Sequence, residues 1–430
     1  MTALSNEQEL AMNLFKDGQN LFITGPGGTG KSYMIKKMVD YAEEMKKNIQ
    51  VTAMTGCASI LLECNAKTIH SWSGLGVANG TIYNNIDKVV KNKYKRKKWN
   101  KVDILIIDEV SMMSDTFLEM LDGIGRKIKK EEKPFGGIQV IFSGDFYQLP
   151  PISKEGEELK YCFESEMWNT IFHSTIELKK IFRQTDLNYI KMLNQIRIGK
   201  LSKKSYELLK SRLNIPLPKD FEPPILHSSR NQVIHINKMK IKKLEGEEKT
   251  FSMKTIDETK TGYNELDLYA LKNNTLAEEK FITKKGAQVM CILNMESYGQ
   301  PNIVNGSRGI IKDFTKEGYP IIEFYSGIQY TMKPHQWKSD IAEGLSIEQI
   351  PLIHAWAITI HKSQGLSIEH ARMNIGSNIF ECGQTYVALS RVKNIQGLFI
   401  DELDISKIKI NKKVQNFYNQ IINSPVLDNN

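Results

Sequence analysis

A chain of 430 residues, 41% hydrophobic and 25% charged, has the material for about two to four folded domains and excludes a disordered or fibrous polypeptide. Its five cysteines (Cys57, Cys64, Cys162, Cys291 and Cys382) are scattered and form no C-x-x-C pair, which argues against a disulfide framework, a zinc ribbon or an iron–sulfur cluster and sets the chain in a reducing, intracellular compartment. No apolar run approaches membrane-spanning length, the N-terminus reads neither as a secretory signal nor as a transit peptide, and a net charge of +9 permits a polyanionic partner without demanding one.

In chain order the first strong signal is "LFITGPGGTGKSYMIKKM", Leu21 to Met38. Leu21–Thr24 reads as a buried strand, and Met34, Ile35, Met38 and Val39 recur at helical spacing. Gly25, Gly27, Gly28 and Gly30, with Thr29 among them, let successive N–H groups turn inward around one anion. Lys31 can then reach the β and γ phosphates of a nucleotide, and the Ser32 hydroxyl can ligate Mg²⁺. An ordinary strand–helix turn would leave Lys-Ser at this offset unexplained, so the chain is expected to bind a nucleoside triphosphate.

Val51–Met54, Ile104–Ile107 and Val140–Phe142 are short β runs separated by helix-length segments, the pattern of a parallel sheet with crossover helices. Between His70 and Lys101 that pattern breaks, predicting a small insertion. Its run "KNKYKRKKWNK" interleaves basic residues with Tyr94 and Trp99; alone, such a run is ordinarily a solvated face. "ILIIDEVSMM" then ends a strand in Asp108, placed to hold Mg²⁺ through water, and Glu109, placed to take the proton from an attacking water. "QVIFSGDFYQLPPI" ends a third strand near Gln148, whose amide can donate to a γ-phosphate and accept from water, before Pro150 and Pro151 stiffen the exit.

A second α/β unit is expected from Thr175, with Ile190, Leu193 and Ile196 and then Leu208 and Leu209 in helices, and Ile225–Leu226 and Ile358–Ile360 as strands. Phe281–Trp337 differs: "GAQVMCILN", "GSRGIIKDF", "YPIIEFY" and "IQYTMK" predict a small antiparallel β barrel interrupting that unit. The boundaries so read are 1–76 with 99–174, an insertion at 77–98, 175–280 with 346–405, the barrel at 281–345, and a Lys- and Asn-rich tail, 406–430, expected to fray. Arg183 in "IFRQTD" and Arg391 in "YVALSRV" could each stabilise charge on a transferred phosphoryl group, although an isolated arginine is ordinarily a surface ion pair.

Taken together, "GPGGTGKS", "TGCAS", "TIHSWSGLG", "IIDEVSMM", "FSGDFYQLPPI", "FRQTD", "AWAITIHKSQGLS" and "GQTYVALSRV" resemble superfamily-one DNA helicases. The resemblance is to the 5′→3′ branch that holds RecD-type and Pif-type (petite integration frequency) enzymes. It covers nearly the whole chain, and the stretch from "SMMSDTF" into "SGDFYQLPP" is similar to the signature that sets Pif-type members apart. The fold implied is α/β, with two RecA-like domains, a wedge insertion and a β-barrel insertion. The activity implied is ATP-dependent, Mg²⁺-dependent translocation on single-stranded DNA and unwinding of duplex or forked DNA, in replication, recombination or repair. Pif-type relatives are also associated with G-quadruplexes and RNA–DNA hybrids, and a free chain would be monomeric, in the cytoplasm of a bacterium, at a viral replication site or in a nucleus.

Residue by residue, the resemblance implies that Gln8 reads the adenine edge, Gly25–Ser32 hold the phosphates with Gly365 nearby, and Gln148 senses the γ-phosphate. Arg183 and Arg391 become paired arginine fingers. Thr55, Gly56, Thr68, His70, Thr359, His361, Lys362 and Gln364 fall on the DNA side, together with Trp72, which could either stack on a base or pack in the core. Cys57, Ser59 and Ser367 depart from commoner residues without removing a catalytic group. An ATP-gated clamp without unwinding, or a RecD-like subunit of a larger nuclease, would share the ATP site. The intact Glu109 and arginines speak against the first, and the two insertions against the second.

Overall fold

The computed structural model describes residues 4–423 except 63, 77, 79, 153–157, 219–221, 261, 274, 296, 297, 301, 340, 341 and 343. The chain divides into two compact units, one of Met1–Ser211, Phe380–Ser390 and Asp404–Asn430, the other of Arg212–Ile379 and Arg391–Leu403.

The first unit is built on six parallel strands: β1 Leu21–Thr24, β2 Ile49–Ala53, β3 Lys67–Thr68, β4 Ile104–Asp108, β5 Gln139–Ser143 and β6 Ser174–Glu177, in the order β3-β2-β4-β5-β1-β6. β1, β4 and β5 are buried along their whole length, which is why their sequences are continuously apolar instead of alternating. Helix α1 (Asn6–Lys16) starts with a reciprocal capping box: the Ser5 side chain accepts from the Gln8 N–H, and the Gln8 side chain accepts from the Ser5 N–H. Helix α2 (Lys31–Glu44) has Gly30 at its N-cap, in the left-handed region at φ 88°, and so has no side-chain cap. Short helices α3 (Gly56–Leu61) and α4 (Ile69–Ser73) follow β2 and β3.

The insertion is a helical hairpin, α5 (Ile82–Lys91) and α6 (Lys93–Lys101), packed on α7 (Asp115–Lys129). Asn92 ends α5 and caps α6, its Oδ1 accepting from the N–H groups of Tyr94 and Lys95 at 3.0 and 3.1 Å. The expected insertion limit at Lys98 falls inside α6, so the element continues to Lys101.

Three further boundaries move. Thr175 lies within β6, which pairs in parallel with β1, so the first unit extends through Ser211. Phe380–Ser390 also belongs to that unit, not to the second. The segment read as a fraying tail forms a helix, Lys412–Asn423, whose Val414, Phe417 and Tyr418 are buried in the first unit's core. There the Phe417 ring stacks on Phe163 at 4.3 Å among Phe22, Phe146 and Trp168.

The second unit has a parallel sheet and a set of antiparallel ones. Its strands are β7 Ile225–His227, β8 Lys249–Ser252, β9 Lys254–Asp257, β10 Lys280–Thr283, β11 Gln288–Cys291, β12 Arg308–Phe314, β13 Pro320–Phe324, β14 Gln329–Thr331, β15 His335–Lys338, β16 Leu345–Gln349, β17 Leu352–His354, β18 Ala357–Thr359, β19 Ala371–Ile375 and β20 Leu398–Leu403. The parallel sheet runs β18-β7-β19-β20. β18 ends at Thr359, and Ile360 opens a short helix instead of closing the strand. The expected barrel is resolved into open sheets: β14-β13-β12-β11-β17, β15-β16-β9 and β10-β8, with no closed barrel among the described residues. They enclose Phe281, Val289, Ile311, Ile322 and Phe324, and they recruit β8 and β9 from well before position 281.

Candidate nucleotide site and nucleic-acid residues

The loop between β1 and α2 is built so that only glycine fits at three places. Gly25, Gly28 and Gly30 sit at φ 136°, 87° and 88°. A Cβ on Gly25 would lie 2.3 Å from the Leu178 carbonyl oxygen, and one on Gly28 would lie 2.6 Å from Arg183 Cβ. Gly30 faces Gln8, whose Nε2 would be 2.9 Å from an added Cβ. The loop is therefore pressed against the segment that carries Arg183. Thr29 is buried and donates its hydroxyl to the Pro26 carbonyl at 2.9 Å.

Lys31 folds over this loop, its ammonium donating to the carbonyls of Gly25 and Pro26 at 2.6 and 3.1 Å. Burial pushes its pKa down, against the pull of Asp145, Glu109 and Asp108. Asp108 is buried at the end of β4, and burial raises its pKa against the Ser143 hydroxyl, the Glu109 backbone N–H and the charge of Lys31. Glu109 occupies the left-handed region, φ 57° and ψ 40°, a conformation that strains a glutamate and turns it away from the strand's direction. Gln148 is buried with its Oε1 lacking a hydrogen-bond partner, and its backbone N–H donates to the Asp145 carbonyl at 2.8 Å. Arg183 donates to the Ser390 carbonyl at 3.2 Å; burial lowers its pKa, against Tyr386 and Glu109. Ser32 is exposed at the start of α2. Gln8 is buried, its Oε1 accepting from the Ser5 N–H at 3.0 Å and its Nε2 lying 3.5 Å from the Thr29 carbonyl.

Of the residues read toward DNA, Thr55, Gly56, Thr68, His70 and Trp72 fall in the first unit, and Thr359, His361, Lys362 and Gln364 fall in the second with Gly365 and Arg391. Thr68 and Thr359 cap short helices, their hydroxyls accepting from the N–H groups of Ser71 and Lys362 at 3.3 and 3.1 Å. His70 lies 4.5 Å from the Phe117 ring, and burial holds its pKa down to about 4, so it is neutral at physiological pH. Gly365 takes φ 83°, while Gln364 and Arg391 are buried.

Trp72 does not present its ring for stacking. It is 3% exposed and packs on Trp99 with centroids 4.8 Å apart, and Trp99 donates its indole N–H to the Ser73 carbonyl at 3.1 Å. The core takes both rings because α6 lays Trp99 directly against α4. The exposed aromatic of the basic run is Tyr94, at 75%.

Sequence reasoning missed four polar residues of this site. The Tyr386 hydroxyl accepts from the Gly27 N–H at 2.9 Å. Arg197 and Asp145 form a buried pair, Nη2 to Oδ1 at 2.9 Å and Nε to Oδ2 at 3.0 Å, and the Tyr418 hydroxyl lies 3.4 Å from the same carboxylate. Asp145 and Tyr386 stand inside stretches already quoted, but nothing local to those stretches names their partners.

Among the described residues no group of three or more His, Cys, Asp or Glu could hold a metal ion, and no helix is long and apolar enough to cross a membrane. A P-loop beside an Asp-Glu pair on the central strand, in a parallel sheet followed by a second parallel α/β unit, defines a P-loop NTPase of the superfamily-one helicase class. The family profile for PIF1-like helicases matches residues 3–207. The chain belongs to the PIF1-like helicase family. It is 34% identical to the ATP-dependent DNA helicase PIF1 of Xenopus laevis over 423 residues, which cover 97% of this chain and 64% of that protein. It thus spans less than two thirds of the length of that relative. A crystal structure of Pif1 helicase from Candida albicans matches with a TM-score of 0.82 and 32% identity, covering 98% of this chain and 100% of that one. A structure of two coordinating Pif1 helicases unwinding forked double-stranded DNA matches at 0.71 and 29%, covering 98% of each chain.

Proposed function

We propose that this chain is an ATP-dependent DNA helicase that translocates 5′→3′ on single-stranded DNA and unwinds duplex and forked DNA. The observation that carries the reading is the gathering of Lys31, Asp108, Glu109 and Arg183 around one glycine-rich loop. Lys31 and the loop amides bind the triphosphate, and Glu109 accepts the proton of the attacking water. The Gln148 amide orients that water, and Arg183 offsets the charge that grows on the transferred group. Arg391 is assigned as a second guanidinium acting on the same charge. Gln8 spends about half its amide capacity on Ser5 and Thr29, leaving the remainder for an adenine edge.

Ser32 and Asp108 are hard oxygen donors suited to Mg²⁺, which keeps several of its waters and needs few protein ligands. That ion would supply charge neutralisation on the phosphates, with Asp108, at the end of β4, holding it through water.

The relatives' names support ATP-dependent unwinding of DNA as the activity. Thr55, Gly56, Thr68, His70, Thr359, His361, Lys362 and Gln364 supply the strand contacts, and α5–α6 supplies the wedge. Contacts of that kind go to the backbone, so single strands of any sequence, G-quadruplex-containing DNA and RNA–DNA hybrids all fall within the substrate class. The free chain is assigned as a monomer, in an intracellular setting.

The deciding experiment is strand displacement on duplexes bearing only a 5′ or only a 3′ tail. Unwinding from the 5′ tail alone supports the proposal. ATP hydrolysis with no displacement from either tail points to the clamp, and displacement from the 3′ tail alone reverses the polarity.

A further inference from the structure

The helix Lys412–Asn423 does more than complete a core, because Tyr418 carries a hydroxyl into the centre of the nucleotide unit. That oxygen lies 2.6 Å from Thr24 Oγ1, 3.2 Å from the Phe146 N–H and 3.4 Å from Asp145 Oδ1. One arrangement of hydrogens satisfies all three partners. The Thr24 hydroxyl and the Phe146 amide donate to the phenol oxygen, and the phenol donates to the carboxylate. Burial raises the phenol's pKa, so it stays protonated and able to donate.

Each partner adjoins a group that handles nucleotide. Thr24 is the last residue before Gly25 of the phosphate loop. Asp145 also accepts from the Tyr147 N–H at 3.2 Å, and its carbonyl accepts from the Gln148 N–H at 2.8 Å, so its position sets the turn that presents Gln148. Arg197 locks the same carboxylate with two donors and lies over the rings of Tyr147 and Tyr418, 4.8 and 5.4 Å from their centroids. Those two rings stack at 4.8 Å and 11°. The network is thus a strut between two catalytic loops, and its middle atom comes from more than two hundred residues further along the chain.

We propose that Tyr418 is a positioning residue for ATP hydrolysis, holding the entry of the phosphate loop and the Gln148 turn in mutual register, so that the C-terminal helix is a control point for turnover. The inference rests on the reading of the site as an ATPase. Tyr418→Phe removes only the oxygen and keeps the ring stack, and Thr24→Val removes the other end of the shortest bond at nearly constant volume.

With the full chain, DNA-stimulated ATPase, KM for ATP and melting temperature would be measured for both variants and for the double variant. Tyr418→Phe is expected to lower kcat by about tenfold or more while KM stays within about twofold, since misplacement of a catalytic group costs turnover more than binding. The double variant is expected to be no slower than the slower single one, because both substitutions break one strut. An unchanged kcat in Tyr418→Phe, or losses that multiply in the double variant, overturns the proposal. A parallel rise in KM also overturns it, since that pattern belongs to binding. A wild-type chain with no ATPase removes the underlying reading instead, whereas an active wild type with an indifferent Tyr418→Phe removes this inference alone.

Discussion

In the nucleotide site Lys31 and Arg183 are half-buried and held by backbone carbonyls, and Asp108 is buried near the charge of Lys31. In the insertion, Lys93, Arg96 and Lys97 stand exposed along α6 while Trp99, on the same helix, is fully buried. Both regions belong to one compact unit and both are rich in charge. The first uses few groups whose positions are over-determined, so each is singular. The second uses several interchangeable charges on a scaffold fixed by an apolar face, so the scaffold matters more than any one cation.

The comparison is broken most directly at Glu109. Glu109→Gln is expected to retain ATP binding and lose turnover by about 10²–10⁴-fold, the usual worth of a general base; single-turnover hydrolysis alongside nucleotide titration would check it. Near-normal hydrolysis would mean that the strained carboxylate is not the base. Lys31→Ala should differ in kind, weakening nucleotide binding as well as turnover, because it removes a charge-assisted hydrogen bond to phosphate.

On the insertion side the scaffold should outweigh the charges. Trp99→Ala is expected to cost about 3–5 kcal/mol, the range for large aromatic residues removed from a core, and chemical denaturation measures it directly. If that variant lost DNA affinity while keeping its stability, the Trp72–Trp99 pair would be a binding surface after all. Replacing Lys93, Arg96 and Lys97 together by Gln should leave hydrolysis intact. Affinity for forked DNA should weaken, with the salt slope falling by about 0.9 for each duplex phosphate that is no longer neutralised. A titration across salt concentrations that returned the wild-type slope would remove α6 from the interface.

The smallest effect expected is in pH dependence. His70 is held down to about 4 by burial, whereas an unfolded chain takes up that proton near pH 6.5. Between those values the unfolded state binds more protons, so stability is full above about pH 6.5 and is lost as the pH falls toward 4. His335 and His354, also held to about 4, add to the same slope. Thermal melts across that window should show the loss, and His70→Gln should flatten it; an unchanged slope would place the acid sensitivity elsewhere.

What can be read from sequence is what is coded by neighbours. The strand–loop–helix of Leu21–Met38, the strand ending in Asp108 and Glu109, and the strand before Gln148 are each specified within about ten residues, and the structure has them where the patterns put them. Pairing across distance leaves no such trace. Nothing in Ser174–Glu177 says that it joins β1, and the short strands after Phe281 do not announce whether their ends meet to close a barrel. Trp72 is ambiguous for a related reason: position in a motif says which helix a ring is on, not which face. The C-terminal helix is legible once its spacing is followed. Val414, Phe417, Tyr418 and Ile421 keep the i, i+3, i+4, i+7 pattern of one apolar face, a signal masked by the lysines and asparagines around them that suggest a fraying tail.

That helix also fixes an order of events during synthesis. A ribosome, at about 5–20 residues per second, releases the phosphate loop well before that helix, and domains ordinarily fold as they emerge. Here the unit that contains the loop draws on three separate stretches of chain, the last beginning at Asp404. Phe22 and Phe146 meet Phe417 only when that stretch has left the exit tunnel. A nascent chain halted at residue 403 would carry the whole glycine-rich loop and both acids, yet lack the aromatic wall behind them. The first unit therefore completes its core only after the interposed second unit has been made.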